Sequence, residues 1–394
     1  MSTPAPALDD AELGAWLHLL HSPGVGREAA RRLLARFGSP QAAIAAPVQA
    51  LGECVDAPTA LALATPPDGH AQRLAETLAW RAAAPARRIL VLGGADYPEP
   101  LLHSADPPLL LYLLGDAGLL ATPSLAIVGS RKPSAQGRDN ARNFAATLAG
   151  QGWTIVSGLA AGVDGAAHEG ALAAGGRTIA VIGTGIDRVY PPSHRTLAHR
   201  IAEQGLIVSE LPLGAPPLAA HFPQRNRIIA GLSRGTLVVE AALRSGSLIT
   251  ARLASESGRE VMAVPGSILA PQSAGCHALI RQGAALVHSP EQVAEELGPL
   301  VPAATRSRSS PAGVATPATP ATPATTATTP TTAATADPDD PVLQAMGHDP
   351  LSLDALIDRC GWPTHALSAH LLTLELDGLV ARLPGGLYQR RQGA

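Results

Sequence analysis

One short segment concentrates arginine at residues 225, 227 and 234. Phe222 comes just before them, and Asn226 stands between Arg225 and Arg227. Guanidinium groups bind phosphate through two parallel hydrogen bonds, and an aromatic ring can stack on a base. On a helix Arg225 and Arg227 point in different directions, so both reach one anionic ligand only near the helix start. The segment predicts a phosphate-binding helix start, with Phe222 either stacking on a base or buried as a hydrophobic staple.

A second turn, of a size that suits a phosphate group, follows the apolar run 125–128. In it Gly129, Ser130 and Arg131 lead into an amphipathic segment. Glycine allows close backbone approach, serine offers a hydroxyl, and the next helix offers N–H groups to a phosphate. Arg131 adds a bidentate phosphate contact. An ordinary strand-to-helix turn with a solvated arginine is the alternative interpretation.

A third turn begins at Ser157 and Gly158, and it places Asp164 and His168 one helical turn apart. Aspartate and histidine are residue types that serve as general acid and general base in enzymes. A capping aspartate and a packed histidine explain it better, because the neighbours of His168 are small. The turn after the run 125–128 is not a GxGxxG, and the second strand ends in Ser157-Gly158 rather than an acid. Both features argue against NAD, and no cofactor is predicted.

The elements that position these turns alternate as short apolar runs and amphipathic segments, which predicts an α/β fold with a parallel sheet. Ligands of such sheets bind beyond the carboxyl ends of the strands, where the polar turns fall. The predicted strands are 89–92, 125–128, 154–157, 178–182, 206–209, 236–239, 260–264 and 285–288.

The regions that flank this core differ in composition. Residues 1–85 have helical spacing and predict a small helical domain, with a helix-hairpin-helix-like turn at 21–26 ahead of Arg27, Arg31 and Arg32. That turn either binds phosphate or simply connects two helices. We predict a Rossmann-like domain at 86–300 and an Ala/Thr/Pro-rich disordered linker at 301–337.

Residues 338–394 predict a winged helix, from helices at 351–359 and 363–377 and a terminal hairpin. From Asp337 onward the sequence carries eight acidic residues and four arginines. This charge favours a role in partner binding or domain packing over DNA binding.

Composition excludes several classes of protein. Cys54, Cys276 and Cys360 are widely spaced and form no CxxC pair, so we expect neither disulfides nor a metal site, and a reducing, cytoplasmic location. The apolar runs are interrupted by Gly, Pro or charge, so no membrane association is predicted. The formal net charge is −3, yet residues 121–290 carry 15 Arg and Lys against 9 Asp and Glu. Charge therefore favours a nucleic-acid partner for the central domain.

Taken together, these motifs resemble the DNA-processing protein DprA (Smf) family over about residues 90–290. The resemblance rests on motifs in family order: Gly129-Ser-Arg131, Ser157-Gly158 with Gly162-Val-Asp164, Tyr190-Pro191, Phe222-Pro-Gln-Arg-Asn-Arg-Ile-Ile-Ala-Gly-Leu-Ser233, Gly246-Ser-Leu-Ile-Thr250 and Val264-Pro-Gly266. The sequence departs from the family at Gly275-Cys276-His277 and at His194.

The resemblance implies an extended Rossmann domain that binds single-stranded DNA, forms a homodimer and helps load RecA during natural transformation. By position it implies a DNA-binding pocket, to which Phe222 is added as a candidate for base stacking. The pocket residues are Gly129, Ser130, Arg131, Ser157, Gly158, Arg225, Asn226 and Arg227. No catalytic residue is expected.

Two other functions remain open at this stage. Ser233-Arg-Gly-Thr236 followed by Glu240 is similar to the loop of phosphoribohydrolases, Rossmann-like enzymes that hydrolyse nucleoside monophosphates, although the Pro-Gly-Gly that precedes it in those enzymes is absent. A transcription regulator acting through the winged helix is the third hypothesis, and the acidity of that domain argues against it.

Overall fold

A computed structural model describes residues 8–300, 340–347, 349–383 and 385–391. The chain divides into two compact units, Met1–Leu300 and Val301–Ala394. The linker predicted at 301–337 lies outside the described residues.

Six helices form the N-terminal part of the first unit: α1 (Asp10–His21), α2 (Arg27–Phe37), α3 (Pro40–Ile44), α4 (Val48–Leu51), α5 (Ala57–Leu63) and α6 (His70–Ala82). Side chains cap several of them, since Asp9 accepts a hydrogen bond from the Glu12 N–H and Asp56 from the Thr59 N–H. Leu13, Leu17 and Leu33 are buried between the helices. The predicted N-terminal helical domain is confirmed.

Nine strands form one sheet in this unit: β1 (Arg87–Val91), β2 (Leu110–Gly115), β3 (Ser124–Val128), β4 (Thr154–Ser157), β5 (Thr178–Val181), β6 (Leu206–Ser209), β7 (Gly235–Val238), β8 (Glu260–Ala263) and β9 (Ala285–Leu286). Its helices are α7 (Glu99–Leu102), α8 (Ala135–Gly150), α9 (Val163–Ala173), α10 (Arg195–Gln204), α11 (His221–Leu232), α12 (Ser247–Glu256), α13 (Ala274–Arg281) and α14 (Pro290–Leu297).

The strand order is β1-β2-β6-β5-β4-β3-β7-β8-β9, and every pairing from β6 to β9 is parallel. β2 runs antiparallel to both β1 and β6. β2 has no counterpart among the predicted strands, because its Leu-rich sequence lacks the β-branched residues that mark the others. From β3 the chain adds strands on one side as far as β6, then returns to place β7 on the other side of β3. The crevice beyond β3 and β7 is therefore the switch point of the sheet.

The N-terminal helices and the sheet share one hydrophobic core. Leu13, Trp16 and Leu33 belong to the same buried cluster as Tyr112 of β2 and Ala180 of β5. Two further clusters cover the sheet on opposite faces, one including Ile228 and Ile229 of α11 and the other Phe144 and Leu148 of α8. Helices on both faces of a parallel sheet are the Rossmann-like arrangement that the sequence predicts.

The described residues of the second unit form three helices and a small sheet: α15 (Pro341–Met346), α16 (Leu353–Cys360), α17 (Thr364–Leu376), β10 (Leu351–Ser352), β11 (Val380–Leu383) and β12 (Leu387–Arg390). Its sheet has the order β10-β12-β11 with antiparallel pairs. Leu343, Leu356 and Leu371 are buried in its own core. This arrangement confirms the predicted winged helix. Among the described residues, no helix is long and apolar enough to cross a membrane.

Candidate nucleic-acid interface

A cavity of about 700 Å³ opens at the switch point, beyond the carboxyl ends of β3 and β7. The loop after β3 forms one wall, the loop after β7 forms another, and the first turns of α11 and α12 close it. Its polar and aromatic lining residues are Ser130, Arg131, Lys132, Asp164, Tyr190, Phe222, Arg225, Asn226, Arg244, Ser245, Ser247 and Thr250. The crevice between diverging crossovers is where ligands of open α/β sheets bind.

Gly129 and Ser130 form the tightest part of the wall after β3. The Ser130 N–H donates to the carbonyl oxygen of Glu240 at 2.7 Å, which ties this loop to the end of β7. A Cβ atom at position 129 would lie 2.8 Å from that same oxygen and 2.7 Å from Val163, so only glycine fits there. The Ser130 hydroxyl accepts a hydrogen bond from the Lys132 N–H at 3.1 Å.

Arg131 lies over the ring of Phe222, with its guanidinium carbon 5.1 Å from the ring centroid. Tyr190 approaches the same ring, with centroids 5.5 Å apart. A second, smaller space of about 130 Å³ adjoins these three side chains and the backbone of Gly158. Phe222 is only partly buried, so the structure places it at the cavity rather than in the core as a staple.

Positive charge dominates the cavity. Arg131, Lys132 and Arg244 are exposed on its rim, and none of them pairs with a carboxylate among the described residues. Asp164 is the single acidic residue among those that line it, and Arg225 lies 3.8 Å from its carboxylate. A space with three unpaired cations and no unpaired anion attracts phosphate.

Arg225 itself is only 7% exposed. Its guanidinium donates to the carbonyl oxygens of Gly158 and Val181, and its Nε donates to the Asn226 side chain at 3.0 Å. Burial lowers the pKa of Arg225 to about 10, and the neighbouring Asp164 opposes that shift. Most donors of Arg225 are therefore used within the protein, where they join α11 to the ends of β4 and β5.

Asp164 completes this buried assembly. Its carboxylate accepts from the backbone N–H groups of Gly158 at 3.1 Å and Ala160 at 3.3 Å. Burial raises the pKa of Asp164, while Arg225 acts in the opposite direction. Asp164 acts as a cap on the loop after β4, as the sequence favours over an acid–base role.

His168 contributes no base to the cavity, because its side chain is fully buried. Thr178 donates its hydroxyl proton to the Ile155 carbonyl, so the His168 Nδ1 donates to the Thr178 oxygen at 2.7 Å. The His168 Nε2 accepts from the Leu159 N–H at 3.3 Å. Burial lowers the pKa of His168 to about 3, so this imidazole is neutral at physiological pH.

Ser157 and Asn226 also support the cavity from behind. Ser157 is fully buried and donates its hydroxyl to the Ile127 carbonyl at 2.6 Å. Asn226 is 9% exposed and donates to the Gly246 carbonyl at 3.3 Å, which joins α11 to the loop before α12. The structure thus places Gly158 at the smaller space and Ser157 behind the cavity, while the main cavity is lined by the other predicted residues except Arg227: Gly129, Ser130, Arg131, Phe222, Arg225 and Asn226.

Arg227 lines neither of the two spaces. Its guanidinium pairs with Glu210 and with Asp106, the latter at 3.1 Å between Nε and Oδ2. Arg27 of α2 reaches the same Asp106 at 2.9 Å, and Arg31 pairs with it too. This network connects the N-terminal helices to α11, which accounts for two of the three arginines after the helix-hairpin-helix-like turn.

Glu240, the candidate catalytic carboxylate, caps a helix. It accepts from the Ser134 N–H at 2.9 Å and from the Ser134 hydroxyl, at the start of α8. This carboxylate occupies the helix N-terminus that the sequence offers to a phosphate. The first turns of α11 and α12, whose N-cap residues Ala220 and Gly246 supply no side-chain cap, face the cavity instead.

Arg244, Lys132 and Tyr190 are cavity residues that sequence reasoning missed as site residues. Arg244 lies in the loop after β7, directly before Ser245, and the position of that loop at the switch point is the signal that would have found it. Lys132 adjoins the predicted Arg131 and is the only lysine in the chain.

Comparison with known proteins is consistent with this geometry. Residues 88–298 match the family described as DNA recombination-mediator protein A. The chain belongs to the DprA family. Two flanking matches agree with this assignment, one to the DprA-like N-terminal HHH domain over residues 10–54 and one to the DprA winged helix domain over residues 319–386.

Individual DprA relatives match over much of the chain. Protein Smf of Escherichia coli is 43% identical over 303 residues, which cover 75% of each chain. DNA processing protein DprA of Streptococcus pneumoniae is 50% identical over 200 residues, covering 51% of this chain and 71% of the relative. The X-ray structure of DprA from Streptococcus pneumoniae aligns with a TM-score of 0.64 and 37% identity, over 74% of this chain and 99% of that one.

Proposed function

We propose that this chain binds single-stranded DNA in the cavity at the sheet switch point and acts in DNA processing during natural transformation. The observation that carries the proposal is the combination, at one cavity, of two aromatic rings in tilted contact with three cations that pair with no carboxylate among the described residues. Cations hold the phosphate backbone, and a ring stacks on a base whatever its identity. The names of the DprA and Smf relatives support the same role.

The proposed contacts divide into two groups. Gly129, Ser130, Arg131 and Phe222 face the DNA, with Lys132 and Arg244 extending the cationic rim. Ser157, Gly158, Arg225, Asn226 and Arg227 hold the loops and α11 in place, because they are buried or already hydrogen-bonded within the protein.

Preference for single strands follows in this proposal from Phe222. Arg131 and Tyr190 both contact its ring, and a base reaches the ring only when that base is unstacked from its neighbours. Fluorescence anisotropy with single-stranded and duplex oligonucleotides tests the preference. We expect Phe222→Leu to weaken single-strand binding by about 1 to 3 kcal/mol, and to change duplex binding little. Equal losses on both DNA forms would refute base stacking by Phe222.

RecA is the proposed protein partner, because the resemblance implies a mediator that loads RecA and the matching family is described as a recombination mediator. The test is RecA-dependent strand exchange on DNA covered by single-strand-binding protein, with and without this chain. Acceleration by wild type, and none by Arg131→Ala, is the expected result. Equal acceleration by wild type and Arg131→Ala would show that RecA loading does not depend on the cavity.

A homodimer is proposed for the first unit. β9 ends the sheet, and Leu286 on this terminal strand is 50% exposed. An open edge with an exposed leucine favours association with a second copy. We expect Leu286→Lys to lower the mass measured by sedimentation equilibrium. An unchanged mass would place any dimer contact elsewhere.

We propose that the chain is not an enzyme, because Glu240 caps α8 and His168 is buried and neutral. Incubation with nucleoside monophosphates tests this point, since release of free base that Glu240→Gln abolishes would establish a hydrolase. The four-part division at residues 85, 300 and 337 and the cytoplasmic location remain predictions.

A further inference from the structure

The winged helix exposes an apolar stripe on α17. Leu376 is 79% exposed and Leu372 is 56% exposed, and Ala369 and His365 are exposed on the same helix. At 100° per residue these four positions fall within about 60° of one another around the helix axis. The opposite face packs into the core of the unit through Leu367, Leu371 and Leu374. The stripe is therefore a second apolar face of α17, and not part of the core.

Charge argues against DNA as the ligand of this face. The sequence of α17, THALSAHLLTLEL, contains neither lysine nor arginine. Its one carboxylate, Glu375, lies near the C-terminal end, and Asp377 follows directly. Lysine and arginine contacts to phosphate supply most of the affinity of non-specific DNA binding, and this helix offers none. An apolar stripe with an acidic end fits a protein surface.

The stripe is complementary to itself when two copies of α17 pack antiparallel about a two-fold axis. Centring the pair between residues 370 and 371 places Leu372 opposite Ala369 of the second copy, and Leu376 opposite His365 of the second copy. Leu372 then meets the smaller Ala369, and Leu376 packs against the ring of His365, so the two helices can approach closely. The 4-3-4 spacing of these positions is that of a helix-pairing seam.

The flanks of the seam agree with this register. Glu375 comes to lie beside the first turn of the second helix, near Thr364 and Ser368 of that copy. A carboxylate is stabilised at a helix N-terminus, and the N-cap of α17, Pro363, supplies no side-chain cap. On the other flank Thr373 faces Ala366 of the second copy, so the register opposes no pair of like charges.

We propose that the winged helix associates with the winged helix of a second copy of this chain, through antiparallel packing of α17. One pair of three-turn helices buries less than the roughly 1,200 Å² of a stable interface, so the contact is weak by itself. It becomes effective where two chains are already held close together, which raises their effective concentration. Chains bound side by side on one DNA strand meet this condition. That consequence rests on the proposed DNA binding, whereas the association itself does not.

Sedimentation equilibrium of the full-length chain tests the association over about 10 to 500 µM, a range that covers weak binding. Every protein in this experiment carries the substitution Leu286→Lys, so that the contact proposed at β9 does not contribute to the measured mass. We expect the average mass to rise with concentration, and the double substitution Leu372→Glu with Leu376→Glu to raise the dissociation constant at least about tenfold. Leu61→Glu is the matched control, because Leu61 is 66% exposed on α5.

A charge swap identifies the partner as a second copy. In the antiparallel register the two copies of residue 372 lie roughly 4.5 Å apart along the axis. An equimolar mixture of Leu372→Glu and Leu372→Lys chains should therefore associate more strongly than either variant alone. A mass of the Leu286→Lys chain that does not change with concentration, or a mixture no stronger than its components, would overturn the proposal. Duplex DNA binding lost in Leu372→Glu would overturn it in favour of DNA.

Discussion

The buried guanidinium of Arg225 donates a hydrogen bond to the carbonyl oxygen of Gly158 and fills the space where a side chain at position 158 would begin. This contact explains why position 158 is a glycine and what the buried Arg225 does. The glycine leaves room for the arginine, and the arginine fixes the loop that carries Asp164 and borders the candidate DNA cavity. Arg225 belongs to a motif that resembles a phosphate-binding site, yet its contacts are to other groups of the protein and hold this loop in place.

Gly158→Ala tests this relationship. The added Cβ would overlap the guanidinium of Arg225, which has no free space because its other contacts are to Val181 and Asn226. We expect the free energy of unfolding to fall by about 1 to 3 kcal/mol, as measured by urea denaturation. Gly150→Ala on α8 is the control, because a Cβ there meets nothing within 4 Å. Equal effects of the two substitutions would contradict the contact.

Arg227→Ala should weaken the fold and leave the affinity for DNA intact. Arg227 is 9% exposed, and its removal leaves Glu210 without its main cation, whereas Asp106 keeps Arg27 and Arg31. We expect a loss of about 3 to 5 kcal/mol in the free energy of unfolding, since a partly buried charge loses its partner. DNA binding measured well below the unfolding temperature should match wild type.

A direct phosphate contact by Arg227 would give the opposite pattern. The affinity for DNA would then fall together with its salt dependence, while the unfolding midpoint would change little. Asp106→Asn is a second variant that separates the two cases, because it weakens the same network without removing a cation.

His168 makes stability depend on pH. Its pKa is lowered to about 3 from 6.5, so the unfolded chain binds the proton between these values and the folded chain does not. Its stabilising contribution is therefore complete above about pH 6.5 and is lost as the pH falls, by at most about 1.4 kcal/mol per pH unit. His168→Gln should be less stable at pH 7 and should show a smaller loss on acidification.

Urea unfolding of both proteins between pH 7 and pH 5 measures this difference. His18, His21 and His70 also have pKa values lowered mainly by burial, and they contribute in the same direction in both proteins. Only the difference between wild type and variant reports on His168. Parallel pH profiles would show that His168 is protonated without cost in the folded state.

Much of the sheet and the position of the cavity could be predicted from the sequence. β-branched runs such as Thr154–Ser157 mark the parallel strands, and glycine with serine marks their carboxyl ends. β2 was missed because its leucines fit a helix equally well. Its pairing with β6 depends on contacts between residues almost a hundred positions apart, which no local pattern encodes.

The roles of individual side chains were less predictable, because arginine serves both phosphate binding and internal ion pairing. Arg131 remains exposed, while Arg225 and Arg227 are buried. The two buried arginines form ion pairs with acidic residues that are distant in sequence: Asp164, Asp106 and Glu210. The cap formed by Glu240 on α8 is equally non-local. Burial and long-range pairing, and not residue type, decide which cations remain free for a ligand.

The central claim is that exposed cations of the switch-point cavity hold the phosphates of single-stranded DNA. The most direct measurement is the salt dependence of single-strand affinity, by fluorescence anisotropy, for wild type, Arg131→Ala and Arg244→Ala. Arg36→Ala is the control, because Arg36 is an exposed arginine of α2, paired with Glu53 and outside the cavity.

Each lost phosphate contact should make the slope of log affinity against log salt shallower by about 0.7 for a single strand. We therefore predict shallower slopes for Arg131→Ala and Arg244→Ala, and a wild-type slope for Arg36→Ala. Slopes equal to wild type in both cavity variants, with both proteins folded, would contradict the account.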